Sequence, residues 1–314
     1  PPQEDSTFGH LIHEITKPMV PVEIPGVKEL NAVDEAGVHP LLLAIGSERY
    51  VPYQQRLPME LLTQANAILG FNQCSLAKYL FIVAQEDNSD LSTQCTQSFF
   101  VHLLERVDLS RDLHFQTQTT IDTLDYSTPE LNLGSKVVIA AAGSKIRDLA
   151  TEIPQQLASP FNHSKIVIPG ICAVGAPRFT ENYEIAKGQV ESLCSAIEPR
   201  RWSSLPLVVL VDDIEFCVDD WSNFLWLTFT RSNPATDIYG ASSFIIDKHW
   251  GTKGPLVIDA RFKPHNAPPL IESKSVNQRV DQIAKGQQNF KDKEENEKSQ
   301  KGDMIIFDYK GKAE

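Results

Sequence analysis

The chain has 314 residues, and its 41 acidic against 29 basic side chains give a formal net charge of −12 at pH 7. With no Lys/Arg-rich block, that balance argues against a polyanion-binding surface, so no nucleic acid is expected as a partner. No stretch approaches the roughly 18 consecutive apolar residues of a membrane span, and the first residues lack a charged segment followed by an apolar core. The expectation is a soluble, unexported, cytoplasmic protein.

The length suffices for two ordinary domains, each with its own core. Cys74, Cys95, Cys172, Cys194 and Cys217 are widely spaced and form no CxxC pair, which suits packing thiols in a reducing compartment better than a disulfide framework. Pro1-Pro2-Gln3-Glu4-Asp5 reads as the middle of a loop, so more chain is expected ahead of it.

Residues 1–35 read as a linker. Phe8, Leu11, Ile12 and Ile15 place apolar groups on one face of a short helix, and Pro18 to Pro25 predicts an extended segment that is neither helix nor central strand. From Val38 the pattern becomes regular. Val38 to Ile45 predicts a strand, Met59 to Leu69 a helix, Tyr79 to Val83 a strand, and the segment through Phe99, Phe100, Leu103 and Leu104 a helix. Leu113 to Thr120 and Lys136 to Ala142 predict the closing strands of a first α/β unit, 36–160. Continuous apolar runs alternating with helices indicate mainly parallel sheets covered by helices.

The order then repeats over 161–271. Ile166 to Val174 predicts a strand, Tyr183 to Ile197 a helix, Leu207 to Val211 a strand and Phe224 to Thr230 a helix, with Ile238 to Ile245 and Pro255 to Ala260 as closing strands. Phe99, Arg106 and Asp112 correspond to Phe224, Arg231 and Asp237, each shifted by 125 positions. Shared order and offset point to internal duplication. From Glu272 a polar tail, 272–314, runs through the charged Lys291 to Lys301, which buries too little surface to order itself. Its Met304-Ile305-Ile306-Phe307 cluster offers an added strand or a clamp on a neighbouring subunit.

Two clusters look chemical. Asp212-Asp213-Ile214-Glu215 follows a strand, where carboxylates line ligand crevices and suit a divalent metal; equally, they cap the next helix. Thr230-Arg231 at a helix end either satisfies orphan carbonyls or pairs with Asp237. His10 and His13 lie at i, i+3 without a third ligand, so no metal site is expected there. No GxGxxG, Walker A, GxSxG or HExxH pattern occurs. A self-contained nucleotide-binding domain has only the α/β grammar behind it.

Four stretches in order resemble the carboxy-terminal half of the UbiD-type decarboxylases. They are Pro1 to Asp5 with Phe8-Gly9, the lead-in to a strand Gln73-Cys74-Ser75-Leu76-Ala77-Lys78-Tyr79, the segment Arg106 to Asp112, and Ile121-Asp122-Thr123-Leu124-Asp125-Tyr126 leading to Leu133-Gly134-Ser135-Lys136. The resemblance implies a non-oxidative carboxy-lyase acting on aromatic or α,β-unsaturated acids, with prenylated FMN, a divalent metal (Mn or Mg) and potassium. It places the catalytic Glu-Arg-Glu set in a missing amino-terminal half, leaving no catalytic residue and no bound cofactor or metal in this chain. The chain would then be a lid and assembly part of a homo-oligomer.

By the same resemblance Ser6, His10, Ser75, Lys78, Ile121, Asp122 and Leu124 line the substrate pocket, and Arg106 lies near the cation site. Arg106 here follows Glu105 where the family usually has Thr. The family's acidic run after the central strand has become Ala84-Gln85-Glu86-Asp87. These departures motivate a second expectation, a non-catalytic interaction module derived from the family. The second unit is expected to stabilise assembly.

Overall fold

The computed structural model describes residues 10–268 apart from 12, 13, 16 and 181, together with 278 and 279. Ser6, Phe8, Ile12, His13 and nearly all of the polar tail, including Met304 to Phe307, lie outside the described residues. The chain divides into two compact bodies, Pro1–Ala267 and Pro268–Glu314, and the three sheets of the described residues lie in the first.

The first sheet has the order β1-β2-β3-β5-β4, built from β1 (Val27–Ala32), β2 (Leu41–Gly46), β3 (Tyr79–Ala84), β4 (Leu113–Thr120) and β5 (Leu133–Ala141). Its three central strands are parallel and both edges antiparallel. The second sheet repeats this plan with β6 (Ser164–Ile168), β7 (Ile171–Gly175), β8 (Leu207–Val211), β9 (Ile238–Gly240) and β12 (Leu256–Asp259), in the order β6-β7-β8-β12-β9. Every pairing has the same sense as its counterpart. A separate hairpin, β10 (Ser243–Ile246) with β11 (His249–Thr252), packs on β4 through a Phe115–Trp250 edge contact and on the turn before it through a Thr252 N–H bond to Leu109 O.

The central strands are apolar without a break because both faces are covered. Leu42, Ala44, Leu80 and Ile82 face α2 (Leu61–Leu69), through Leu61, Ala65 and Ile68. Cys172, Val174, Val208 and Leu210 pack with Val190 and Leu193 of α4 (Tyr183–Ala196). The alternate residues, Leu41, Leu43, Tyr79, Phe81, Ala173, Leu207 and Val209, share one core with α3 (Thr96–Leu104) and α6 (Trp221–Arg231). The two units therefore close on a common interior. Phe229 sits edge-on to Tyr79 at 4.9 Å and to Phe81 at 5.8 Å.

The duplicated triplets occupy equivalent places. Phe99 and Phe224 are fully buried in the common core. Asp112 accepts the N–H of Asp108 at 2.9 Å, and Asp237 that of Asn233 at 2.7 Å, closing the same turn in each unit.

Several elements depart from expectation. Pro18 to Pro25 contains one helical turn, α1 (Val20–Glu23), because Pro21 occupies the first turn, where no N–H is needed. β1 lies inside the segment read as linker. Ile166 to Val174 is two strands, folded back at Gly170, whose φ of +85° and contact with Leu149 leave no room for a Cβ. Ile238 to Ile245 is likewise split between β9 and β10.

The acidic turn is mostly a cap. Asp213 accepts the Phe216 N–H at 3.1 Å at the start of α5 (Ile214–Asp219), and exposed Glu215 pairs with Lys165. Arg231 faces Asp212 at 3.8 Å and lies over the Phe262 ring, leaving Asp237 to Lys263 at 3.4 Å.

Candidate functional site

The amino ends of β3 and β5 carry two buried lysines. Lys78 is fully enclosed; its ammonium lies 2.9 Å from Asp125 Oδ2 and donates to Ser232 O at 2.9 Å. Burial pulls its pKa down and Asp125 pulls it back up. Lys136 donates to the carbonyls of Ser75, Ala77 and Thr120 at 2.7, 3.0 and 2.6 Å and forms no ion pair among the described residues; burial pushes it down to about 8, against a weaker upward pull from Asp125. Together the two ammonium groups tie the Ser75–Lys78 segment to the stem and turn of the 121–132 loop.

The loop has its own scaffold. Asp122 pairs with His39 and accepts the Leu124 N–H at 2.7 Å. Asp125 accepts the Ser127 N–H at 2.9 Å, and Asn132 donates to Ile121 O at 3.1 Å. Ile121 is buried against Gly134, where a Cβ would come within 2.8 Å of it. Leu124 is 76% exposed.

Five expected pocket residues, Ser75, Lys78, Ile121, Asp122 and Leu124, are thus brought to one end of the first sheet. Ser6 lies outside the described residues, and His10 is exposed. Lys78 and Ile121 point inward as supports rather than outward as a lining. Asp125 and Lys136, not singled out from sequence, do most of the joining; the available signal was that both lie in the matched stretches.

Beside this end runs a cavity of about 670 Å³ lined by both units, including Ser127, Gly134, Tyr183, Asn233, Lys263 and His265. Asp237, buried next to Lys263, is pushed up to about 6, chiefly by burial. His265 is held below its ordinary pKa, first by burial and then by Lys263. Its Nε2 lies 3.0 Å from Ser127 O, which can only accept, and its Nδ1 lies 2.9 Å from Tyr183 OH. The neutral ring therefore carries its proton on Nε2 and accepts from the tyrosine. Carboxylates of Glu130, Glu184, Asp237 and Asp259 outnumber Lys187 and Lys263 around the cavity, so no surplus cation awaits an acidic ligand or a flavin phosphate.

Residues 6–141, a span that takes in the whole first sheet, match the 3-octaprenyl-4-hydroxybenzoate carboxy-lyase C-terminal domain. The first α/β unit is a UbiD-type carboxy-terminal domain. Over 282 residues the chain is 33% identical to a 4-hydroxybenzoate decarboxylase subunit of Chlamydia pneumoniae, covering 89% of this chain and 44% of the relative. An uncharacterized protein of Chlamydia trachomatis serovar D is 33% identical over 266 residues, 84% of this chain and 42% of the relative. Alignments this long necessarily take in the second sheet as well. The chain spans less than half the length of these curated relatives. Among solved structures, the apo 3,4-dihydroxybenzoic acid decarboxylase of Enterobacter cloacae aligns with a TM-score of 0.35 and 16% identity over 43% of this chain and 28% of that one. The closed vanillic acid decarboxylase of Sedimentibacter hydroxybenzoicus aligns with a TM-score of 0.33 and 13% identity over 56% of this chain and 31% of that one.

Arg106 of the UbiD-type domain stands apart from the loop cluster. It follows α3 and donates to Gly143 O at 3.1 Å, beyond the carboxyl end of β5, whereas Lys78 precedes the amino end of the parallel β3. About six residues of strand, roughly 20 Å, separate the two ends. Its guanidinium is also satisfied by His102 O at 2.9 Å and Glu105 at 3.1 Å. His102, buried beside it, is driven down to about 4, first by burial and then by the arginine. A positively charged group already fills this place. Among the described residues, no group of three or more His, Cys, Asp or Glu is arranged to hold a metal ion. The described residues do not compose a site for the divalent metal, and no step is routed through one.

Proposed function

We propose that this chain is the carboxy-terminal lid and oligomerisation part of a non-oxidative, cytoplasmic decarboxylase acting on aromatic or α,β-unsaturated carboxylic acids. In this reading prenylated FMN, the divalent metal, potassium and the catalytic acids belong to an amino-terminal half, and this chain alone is inactive. The observation that carries it is the family match over 6–141 together with the loop it contains, whose Leu124 projects outward from a base fixed by Lys78 and Lys136. Ser75, Asp122 and Leu124 face the substrate side, with His10 from the leading segment, while Lys78 and Ile121 hold the loop from behind. Adding the chain to the amino-terminal half loaded with prenylated flavin is expected to produce CO2 release from a 4-hydroxybenzoate-type acid. A full-length protein that stays inactive after reconstitution would overturn the reading.

A second reading, a non-catalytic assembly module derived from the same family, is favoured by the acid-rich cavity and by the pairing of Arg106 with Glu105. An intact Glu-Arg-Glu set in the adjoining half would count against it.

A further inference from the structure

The loop from Ile121 to Ser135 is gripped by the second unit at two places, its middle and its outgoing stem. On one side Asn266 Nδ2 donates to Tyr126 O at 2.8 Å and His265 Nε2 donates to Ser127 O at 3.0 Å. On the other, Ser135 Oγ accepts the Ala235 N–H at 2.7 Å and donates to Asn233 Oδ1. Asn233 also closes over Gly134, where an added Cβ would meet its amide nitrogen at 3.2 Å. Just ahead of the first of these places, Asp125 is held by Lys78, whose other partner is Ser232 O.

Each of these second-unit groups comes from one of two places, the 232–235 turn after α6 or the 265–266 turn beyond β12. What the grip holds out is apolar and wet, with Leu124 76% and Leu131 73% exposed. An exposed loop with no such backing samples many conformations, and fixing one removes that entropy from any later binding step.

We infer that the second unit is a positioning clamp for this loop, with Asn233, His265 and Asn266 as its positioning residues. The consequence for substrate rests on the proposed function; the clamp itself does not. The duplicated sheet is then a support that holds the loop of the first unit in its working shape.

Hydrogen exchange on the whole 314-residue chain tests this. The loop amides of Leu124, Asp125 and Ser127 are protected by bonds to Asp122 and Asp125, so they report the shape of the loop. The near-isosteric Asn266→Asp keeps the Oδ1 that accepts the Lys263 N–H and turns the donor to Tyr126 into a carboxylate oxygen that repels that carbonyl; His265→Ala deletes the second donor. The pair is expected to speed exchange over 121–134 by roughly tenfold, the loss of one or two net hydrogen bonds, while β3 and β8 keep their protection. Unchanged loop protection overturns the clamp, as does equal acceleration in β3 and β8, which would mean general destabilisation. Asn266→Asp alone serves if the pair folds poorly. In the longer protein, a faster-exchanging loop with unchanged turnover leaves the clamp standing and counts against the substrate-facing reading of the loop.

Discussion

Trp221 Nε1 donates a 2.8 Å hydrogen bond to Thr96 Oγ1, and these residues, 125 positions apart, open the equivalent helices of the two units. Equivalent positions touch each other directly only near an axis that exchanges the two copies, so the duplication is folded about α3 and α6. The contact joins the units where Phe100 meets Trp221 edge-on at 5.2 Å. Trp221→Phe keeps an aromatic ring at this position and removes the donor. Its expected cost is about 1 kcal/mol, a fall in Tm of about 2–4 °C for a chain of this size. Calorimetry of Trp221→Phe, Thr96→Val and the double variant checks this, because a shared bond makes the double no worse than the poorer single.

Removing one member of the Lys78–Asp125 pair should be far more costly. Both side chains are almost fully enclosed, and Lys78→Met leaves the Asp125 carboxylate without its counter-charge. The expected loss is about 3–5 kcal/mol. Asp125→Asn added to Lys78→Met recovers part of it, which urea melts would show as positive coupling. A single variant within about 0.5 kcal/mol of wild type would mean the pair is solvated.

What the sequence made legible is the part of the fold set by local pattern. β4 and β8 fall on their expected limits, and the 125-residue offset located turns that the structure closes in the same way. β1 was hidden because its buried positions include Glu29 and Asn31, whose partners Thr93 and Ser92 lie on a distant loop. The same limit governs the candidate site. Lys78 meets Asp125 across 47 positions and Ser232 across 154, distances at which residue spacing carries no information. Proximity in sequence points Arg231 to Asp237, whereas the turn after β8 brings Asp212 to the guanidinium instead.

Two buried groups should pull the stability profile in opposite directions between pH 4 and 6.5. Asp237, raised from 3.8 to about 6, holds a proton in the folded state that the unfolded chain has already released, so its contribution falls as pH rises through that window. His102, lowered from 6.5 to about 4, stays neutral when the unfolded chain is charged, so its contribution grows with pH over the same range. Each effect is on the order of 3 kcal/mol, superimposed on that of Glu35, which burial also raises, to about 7. Relative to wild type, Asp237→Asn should make the curve climb more steeply from pH 4 to 6.5, and His102→Gln should make it descend more steeply. Urea midpoints at half-unit pH intervals would decide it, and curves parallel to wild type would refute both assignments.

The common core makes a prediction about separating the units that differs from an assembly role alone. If the second unit only stabilised subunit contacts, a chain ending at residue 160 would remain folded and change its oligomeric state first. The inner faces of β2, β3 and β5, with Leu41, Leu43, Tyr79, Phe81, Val137 and Ile139, share their interior with Phe224, Leu225 and Phe229 of the second unit. Each large side chain uncovered loses up to about 1.5–3 kcal/mol, so a few of them equal the 5–15 kcal/mol of a whole domain's stability. Lys78 would also lose the Ser232 carbonyl. The shortened chain is therefore expected to retain far-UV but not near-UV circular dichroism and to bind hydrophobic dyes. A soluble 1–160 fragment with a cooperative thermal transition would show instead that α3 alone can close the inner face of the first sheet.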